Sequence, residues 1–305
     1  MTQLKKRFLR SKFLLGFCLF HLFSIAQDTI NHKFRKNIVI GGNAVAYTST
    51  MVGLYNLWYK NYYLEKFHFY NDNKEWLQMD KVGHAYSCYY EGVAGIKMLE
   101  WAGFDRKKAS IIGGSYGFII QTGVEIFDGF SSGWGASLGD VAANAFGSSL
   151  AISQNLVWNE QRIWMKYSWT RSSYDKTRPN VLGSNFPERV LKDYNAQSYW
   201  ISGNLNLLLP KKNIPKWLNI AIGYGADGML GGYRNSFESN GQSFDYSHIK
   251  RARQFYLSPD IDLTKIKTKR KPVKAALFII NALKFPLPTL EYHTENGFKG
   301  HWIKF

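Results

Sequence analysis

The spacing of apolar residues changes once along the chain, near residue 158, and that change limits the folds open to it. Upstream, apolar residues come in long blocks separated by Gly- and Asp-containing breaks. Asn37 to Tyr59, Val82 to Ala102, Ala109 to Phe127 and Leu138 to Trp158 read as four helical segments whose lengths approach a membrane crossing. The first closes on Trp58, Tyr59, Tyr62 and Tyr63, as a helix ending at an interface belt would. Gly113, Gly117 and Gly147 permit close helix contact. Downstream the period becomes two. Ile163, Met165, Tyr167 and Trp169 alternate with Arg162, Lys166, Ser168 and Thr170. Tyr199, Ile201, Leu205, Leu207 and Leu209 alternate with Ser198, Ser202, Asn204 and Asn206. Leu218 to Tyr224 and Phe255 to Thr264 continue the pattern, and Pro288 to His293 and Phe298 to Phe305 end the chain.

Polar-in, apolar-out strands with aromatic ends fit an outer-membrane sheet, and the closing His301-Trp302-Ile303-Lys304-Phe305 resembles the last strand of such barrels. About six strands are visible, fewer than the roughly eight of the smallest closed barrels. The expected fold is therefore α+β. An N-terminal bundle of about four apolar helices (27–158) precedes an antiparallel, outer-membrane-type β region (159–305) forming a partial or small barrel.

The first residues form a leader: basic to Lys12, apolar from Phe13 to Ile25, then Ser24-Ile25-Ala26 before Gln27. This order reads as a secretory signal, residues 1–26, cleaved after Ala26. Cys18 follows bulky Phe17 where lipoprotein processing expects a small residue. Lys5, Lys6, Arg7, Arg10 and Lys12 belong to the leader, so the formal charge of +17 falls to about +12 in the mature chain. An exported chain does not meet chromosomal DNA. The excess charge points to anionic lipid or an acidic partner, not nucleic acid. Hydrophobic content of 45% excludes disorder, and two cysteines exclude a disulfide framework; Cys88 is left as a lone buried thiol. Lys265, Lys267, Lys269, Arg270, Lys271 and Lys274 lead into apolar Ala275 to Leu283. This is either a solvated turn before a short helix near 272–284, or an interfacial helix. In the second case Lys267, Lys269, Arg270 and Lys271 meet lipid phosphates.

The densest chemistry is helical. Asp80, Lys81 and His84 open the second helix, and Asp80, His84, Ser87 and Glu91 fall on one stripe at about 100° per residue. Gln121, Glu125 and Asp128 form a comparable stripe on the third helix. Ser137-x-x-Asp140 reads as a capping box for the fourth, followed by Asn144 and Gly147. Facing one another, these stripes gather ionisable groups that must be paired, protonated or metal-bound. Three readings stand: a buried network that locks the helices; a divalent-metal site of His84, Glu125, Asp128 and Asp140; or an acid–base site with His84 as base.

Asp80-Lys81-x-x-His84, Glu125-x-x-Asp128-Gly129 and Ser137-x-x-Asp140-x-x-Ala143-Asn144-x-x-Gly147 together resemble the YfiM-type family of predicted periplasmic or outer-membrane lipoproteins, a domain of unknown function. More distantly they are similar to the VanZ-like membrane proteins. The likeness covers about residues 75 to 150, roughly a quarter of the chain. It implies an envelope location and carries over no reaction. The chain departs from the first family in lacking a convincing lipidation cysteine, and from the second in its strand-rich half.

Two motif matches are discounted. Gly113-Gly114-Ser115-Tyr116-Gly117 fits the nucleophile elbow of hydrolases, but no repeated strand–helix alternation surrounds it. Gly223-x-Gly225-x-x-Gly228 fits a dinucleotide fingerprint, but no helical pattern follows. No P-loop and no H-E-x-x-H motif is present, and no cofactor is expected beyond the optional divalent metal. The leading expectation is a non-enzymatic scaffold or accessory subunit, exported to the outer membrane or its periplasmic face, with outer-membrane lipid and other outer-membrane proteins as partners. The competing one is a membrane-embedded hydrolase or transferase acting on an envelope lipid through His84, Glu125 and Asp140.

Overall fold

A computed structural model describes residues 32–59, 62–208, 214–239 and 241–304. The leader with its cleavage after Ala26, Cys18, Leu209 and the terminal Phe305 lie outside the described residues. The main helices are α1 (His32–Leu54), α2 (Met79–Trp101), α3 (Tyr116–Gly129), α4 (Leu138–Trp158) and α5 (Lys271–Ile280). Strands β1 (Ile163–Trp169), β2 (Gln197–Asn204), β3 (Leu218–Asp227), β6 (Ala252–Ile261), β7 (Leu287–His293) and β8 (Gly297–Lys304) form one antiparallel sheet in the order β1-β2-β3-β6-β7-β8. A separate hairpin pairs β4 (Ser236–Ser239) with β5 (Gln242–Asp245) across Gly241, whose φ is 73°. The alternation read in the sequence did not extend to this hairpin.

Local chemistry sets several boundaries. Ser137 caps α4 by accepting the Asp140 N–H (3.2 Å), and Asn159 ends it in the left-handed region. Leu205 to Leu208 is a helical turn and not a continuation of β2, because Asn204 Oδ1 accepts the Asn206 N–H (2.8 Å) and turns the chain. Asp262 likewise ends β6: its Oδ1 accepts the Thr264 N–H (2.9 Å), and Leu263 to Lys265 becomes a helical turn.

Three helices pack tightly. A Cβ on Gly95 would collide with the Gly113 carbonyl, and one on Gly147 with the Ala85 carbonyl, so α2 meets its neighbours at backbone distance. Helix α1 lies more loosely against this group, with Ile40, Val45 and Val52 all exposed. No described helix is long and apolar enough to cross a membrane; α2 and α4 have the length (23 and 21 residues) but carry too many polar groups.

Register places like residues in rows across the sheet. Tyr167, Tyr199, Tyr224, Phe255, Tyr292 and Phe298 form one row, and Met165, Ile201, Ile222, Leu257 and Leu290 the next. The other face is polar and buried. There Lys166 of β1 meets Asp260 of β6 at 2.7 Å, both fully buried. Three strand spacings separate those strands, about 14 Å if the sheet were flat, too far for a lysine side chain. The sheet must therefore curl around its polar face. Residues 282–284 help fix the curl by pairing with the free edge of β1: Tyr167 N–H donates to the Ala282 carbonyl (2.9 Å) and Lys284 N–H to the Tyr167 carbonyl (2.8 Å). Three residues later the chain enters β7. Among the described residues β1 and β8 do not pair, so the sheet is open and no closed barrel forms.

Helix α2 covers the β1 end of the apolar face. Tyr89 and Val93 pack with Met165 and Trp164, and the Tyr90 hydroxyl donates to the Met165 carbonyl (2.7 Å). Met79 and the turn before α2 cover Tyr199 and part of Tyr224; beyond them the face is bare, with Ile222 65% and Phe298 74% exposed.

Candidate functional site

A cavity of about 1260 Å³ opens among α1, α2, α3, the loops 62–78 and 131–136, and the start of α4. One part of its wall is apolar, including Ala46, Ala94, Met98, Ile120 and Val124. The other holds His84 with Asp80, Glu91, Glu125, Asp128 and Asp140. The helical stripes thus do converge, and each lends one or more carboxylates to the same space.

The chain reaches this site through an unusual entry. Trp76, Leu77 and Gln78 all have positive φ (47°, 50° and 65°), conformations costing roughly 1–3 kcal/mol each for residues of this kind. They are held from outside: Trp76 N–H donates to the Gly232 carbonyl (2.8 Å), and the Leu77 carbonyl accepts from Arg253 Nη1 (3.1 Å) and from the Tyr224 hydroxyl. The turn projects Asp80 and His84, one helical turn apart, into the cavity.

At the centre, His84 Nδ1 lies 3.0 Å from Asn144 Oδ1. With the amide in this orientation its oxygen accepts from His84 Nδ1 and from Cys88 Sγ (3.3 Å), while Asn144 Nδ2 is buried without a hydrogen bond. His84 Nε2 then faces Asp80 Oδ1 (3.8 Å), Glu125 Oε1 (3.8 Å) and Asp140 Oδ1 (3.9 Å), within ion-pair range of each and hydrogen-bonded to none. Tyr194 donates to Asp80 Oδ1 (2.8 Å), and Ser137 N–H donates to Glu125 Oε2 (2.9 Å). Lys81 stands behind this group, 2.5 Å from Asp72 and 2.9 Å from Asp140. The Ser137 hydroxyl donates to Asp72 (2.6 Å). Further round the wall, Tyr59 donates to Asp128 (2.7 Å) and Gln121 to Glu91 (2.9 Å).

Burial dominates the electrostatics. It pushes Glu91 and Glu125 up to about 8, Asp140 to about 7 and Asp128 to about 6, so these acids hold protons where free ones would not. Burial works against the His84 cation, but Asp80, Asp140 and Glu125 outweigh it and raise the imidazole above its ordinary value. Asp72 shows the opposite balance: hydrogen bonds from Lys81 and Ser137 overcome burial and hold it below the usual carboxylate range. Two buried oxygens, Glu91 Oε2 and Asp140 Oδ1, receive no hydrogen bond.

Every polar residue anticipated from the helical stripes except Ser87 lies in or against this site; Ser87 turns into a smaller cavity of about 200 Å³ beside α5. Asp72, Tyr59 and Tyr194 were not anticipated. Asp72 sits in a loop and Tyr194 lies 114 residues from its partner Asp80, so no local period points to either. Ser115 is no nucleophile elbow: no strand precedes it, and its hydroxyl donates to the Ile111 carbonyl (2.7 Å). Gly223 and Gly225 are strand residues, with Gly223 packed on Trp200, and no helix follows Gly228. Lys267, Lys269, Arg270 and Lys271 are exposed where the chain enters α5, whereas Lys265 turns inward to Glu160 (2.6 Å).

Residues 68–156 match the family described as "Predicted periplasmic lipoprotein (DUF2279)". The matched stretch runs from the loop before α2 to near the end of α4, so it contains every cavity carboxylate named above. The match supports an exported envelope protein of unknown role; the finer likenesses to YfiM-type and VanZ-like proteins have no counterpart in it. No curated protein and no solved structure matches the chain.

Proposed function

We propose that this is an envelope protein that seats on the outer membrane through the bare apolar face of its sheet and takes an amphiphilic, lipid-derived ligand into the helical cavity. The observation that carries the seating is the pair of rows on that face. Ile201, Ile222, Leu257 and Leu290 lie uncovered beside the exposed Phe255, Tyr292 and Phe298, the order of a hydrocarbon band next to its interface girdle. The exposed Lys267, Lys269, Arg270 and Lys271 supply charge complementary to lipid phosphate. The cavity joins an apolar wall to a cluster of acids, which suits a molecule with a chain and a polar head. A scaffold needs only a filled and satisfied helical core. The open volume and the unpartnered Glu91 Oε2 favour a ligand site, in which His84, Glu125 and Asp140 supply acid–base groups.

Flotation with vesicles of phosphatidylethanolamine and phosphatidylglycerol tests the seating. The mature chain should rise with the lipid, and Ile222→Asp with Leu257→Asp should remain in the dense fraction while keeping its circular dichroism. Equal flotation of both refutes it. Binding of a dansyl-labelled fatty acid, followed by its fluorescence, tests the cavity separately.

A further inference from the structure

We infer that Asp80, His84 and Asp140, with Glu125 beside them, form a binding site for a single divalent transition-metal ion. The inference rests on the cavity being a ligand site, and not on how the sheet meets lipid.

The donor geometry comes first. One atom from each of Asp80, His84 and Asp140 lies within 4.8 Å of the others, and His84 Nε2 is 3.8–3.9 Å from a carboxylate oxygen of Asp80, Glu125 and Asp140 alike. Ligand atoms about 2.0–2.2 Å from a common ion stand roughly 3–4 Å apart, so the distances from His84 Nε2 to the carboxylates are those of a coordination shell. They are too distant for hydrogen bonds to one another. The imidazole presents the correct atom: Nδ1 is committed to Asn144, which leaves the Nε2 lone pair directed at the oxygens. The hydrogen bond to Asn144 is also the second-sphere contact that orients a metal-bound histidine.

An independent observation comes from Asp140, which is 3% exposed. Lys81 Nζ stands 2.9 Å from each of its oxygens, but its hydrogen bond goes to Oδ2. Oδ1 is buried without a hydrogen bond and has only its ion pair with Lys81, on the side facing His84 Nε2. A second cation on that side would give this buried oxygen a partner of its own. Lys81 supplies one positive charge, which it shares among Asp72 (2.5 Å), Asp140 (2.9 Å) and Asp80 (3.4 Å). One imidazole with two or three carboxylates suits zinc, iron(II) or manganese(II) better than a thiolate-seeking or all-oxygen ion. Against the metal set expected from sequence, Asp80 enters the shell. Asp128 leaves it, since the donor atoms that gather are those of Asp80, His84 and Asp140.

The test uses the tag-free mature chain, stripped with EDTA and dialysed. Titration calorimetry with Zn²⁺ should show one equivalent bound, weakened at least tenfold by His84→Gln and by Asp140→Asn, and unchanged by His248→Gln on the surface. Co²⁺ should give visible d–d absorption in the wild type, a readout that stands even where a variant fails to fold. Absence of both uptake and absorption in the wild type overturns the inference, as does Zn²⁺ binding that the folded variants leave intact. If the dansyl fatty acid still binds while no metal does, the ligand cavity stands and the ion alone is refuted.

Discussion

Glu91 offers the sharpest test of how the cavity treats charge. Its Oε1 accepts from Gln121 at 2.9 Å while Oε2 is buried without a partner, and burial raises the acid from 4.5 to about 8. In the unfolded chain Glu91 ionises near its ordinary value, whereas in the fold it keeps its proton until about pH 8. The native state therefore binds more protons than the unfolded state between those limits, and stability falls as pH rises across that window. Every tenfold gain in proton affinity on folding corresponds to about 1.4 kcal/mol, which gives an upper bound near 5 kcal/mol; water entering the cavity reduces it to roughly 2–3 kcal/mol. Glu91→Gln keeps the shape and the bond to Gln121 but cannot ionise. Relative to wild type it should be nearly neutral at pH 4.5, then increasingly stabilising up to pH 8, and constant above that. Urea unfolding followed by tryptophan fluorescence, in EDTA to keep metal out, measures the difference at each pH. A variant whose advantage does not grow between pH 5 and 8, or which is destabilised throughout, would show that Glu91 is ionised in the fold and that the burial argument is wrong.

Two further outcomes follow from the polar interior and the helix caps. Asp260→Asn removes the carboxylate between Lys166 (2.7 Å) and Lys284 (3.5 Å), leaving two buried ammonium groups uncompensated. It should cost about 3–5 kcal/mol, read as a fall in the urea midpoint, and Lys284→Met should cost clearly less because Lys166 still pairs with Asp260. Ser137→Ala deletes both the cap of α4 and the hydrogen bond to Asp72. A loss of about 1–2 kcal/mol is expected in the same assay, and a change within experimental error would mean that water replaces the hydroxyl at both places.

How much of this was legible in the chain depends on the range of the interaction. Helix α4 begins and ends where its sequence indicates because Ser137 and Asp140 form its cap locally, and β1 follows its alternation from Ile163 to Trp169. The cavity carboxylates were readable because helical spacing alone puts Asp80 and His84 on one side. What was not readable depends on distant partners or on competing turns. Asn204 and Asp262 end strands by bonding their own backbone, against an apolar period that continues into Leu207 and Leu263. Tyr194 joins the site across 114 residues. The length of α2 suggested a span, but Asp80, Lys81, His84, Glu91, Lys97 and Glu100 on one helix belong to a protein interior and a water boundary, not to hydrocarbon.

The pairing of residues 282–284 with β1 bears on when the molecule can assemble. Tyr167 finds its backbone partners 115 to 117 residues later, and Tyr86 donates to the Ala282 carbonyl across 196. A strand whose outer edge is made by the last segments of the chain cannot be completed while those segments are still missing. The upstream helices are free to collapse early, but their docking surface on the sheet matures only after nearly the whole polypeptide has arrived. Such dependence on remote pairing makes for slow folding and a prolonged period in which the aromatic rows are unshielded. A chain truncated before Ala282 should accordingly fail as a whole, and not merely lose its tail.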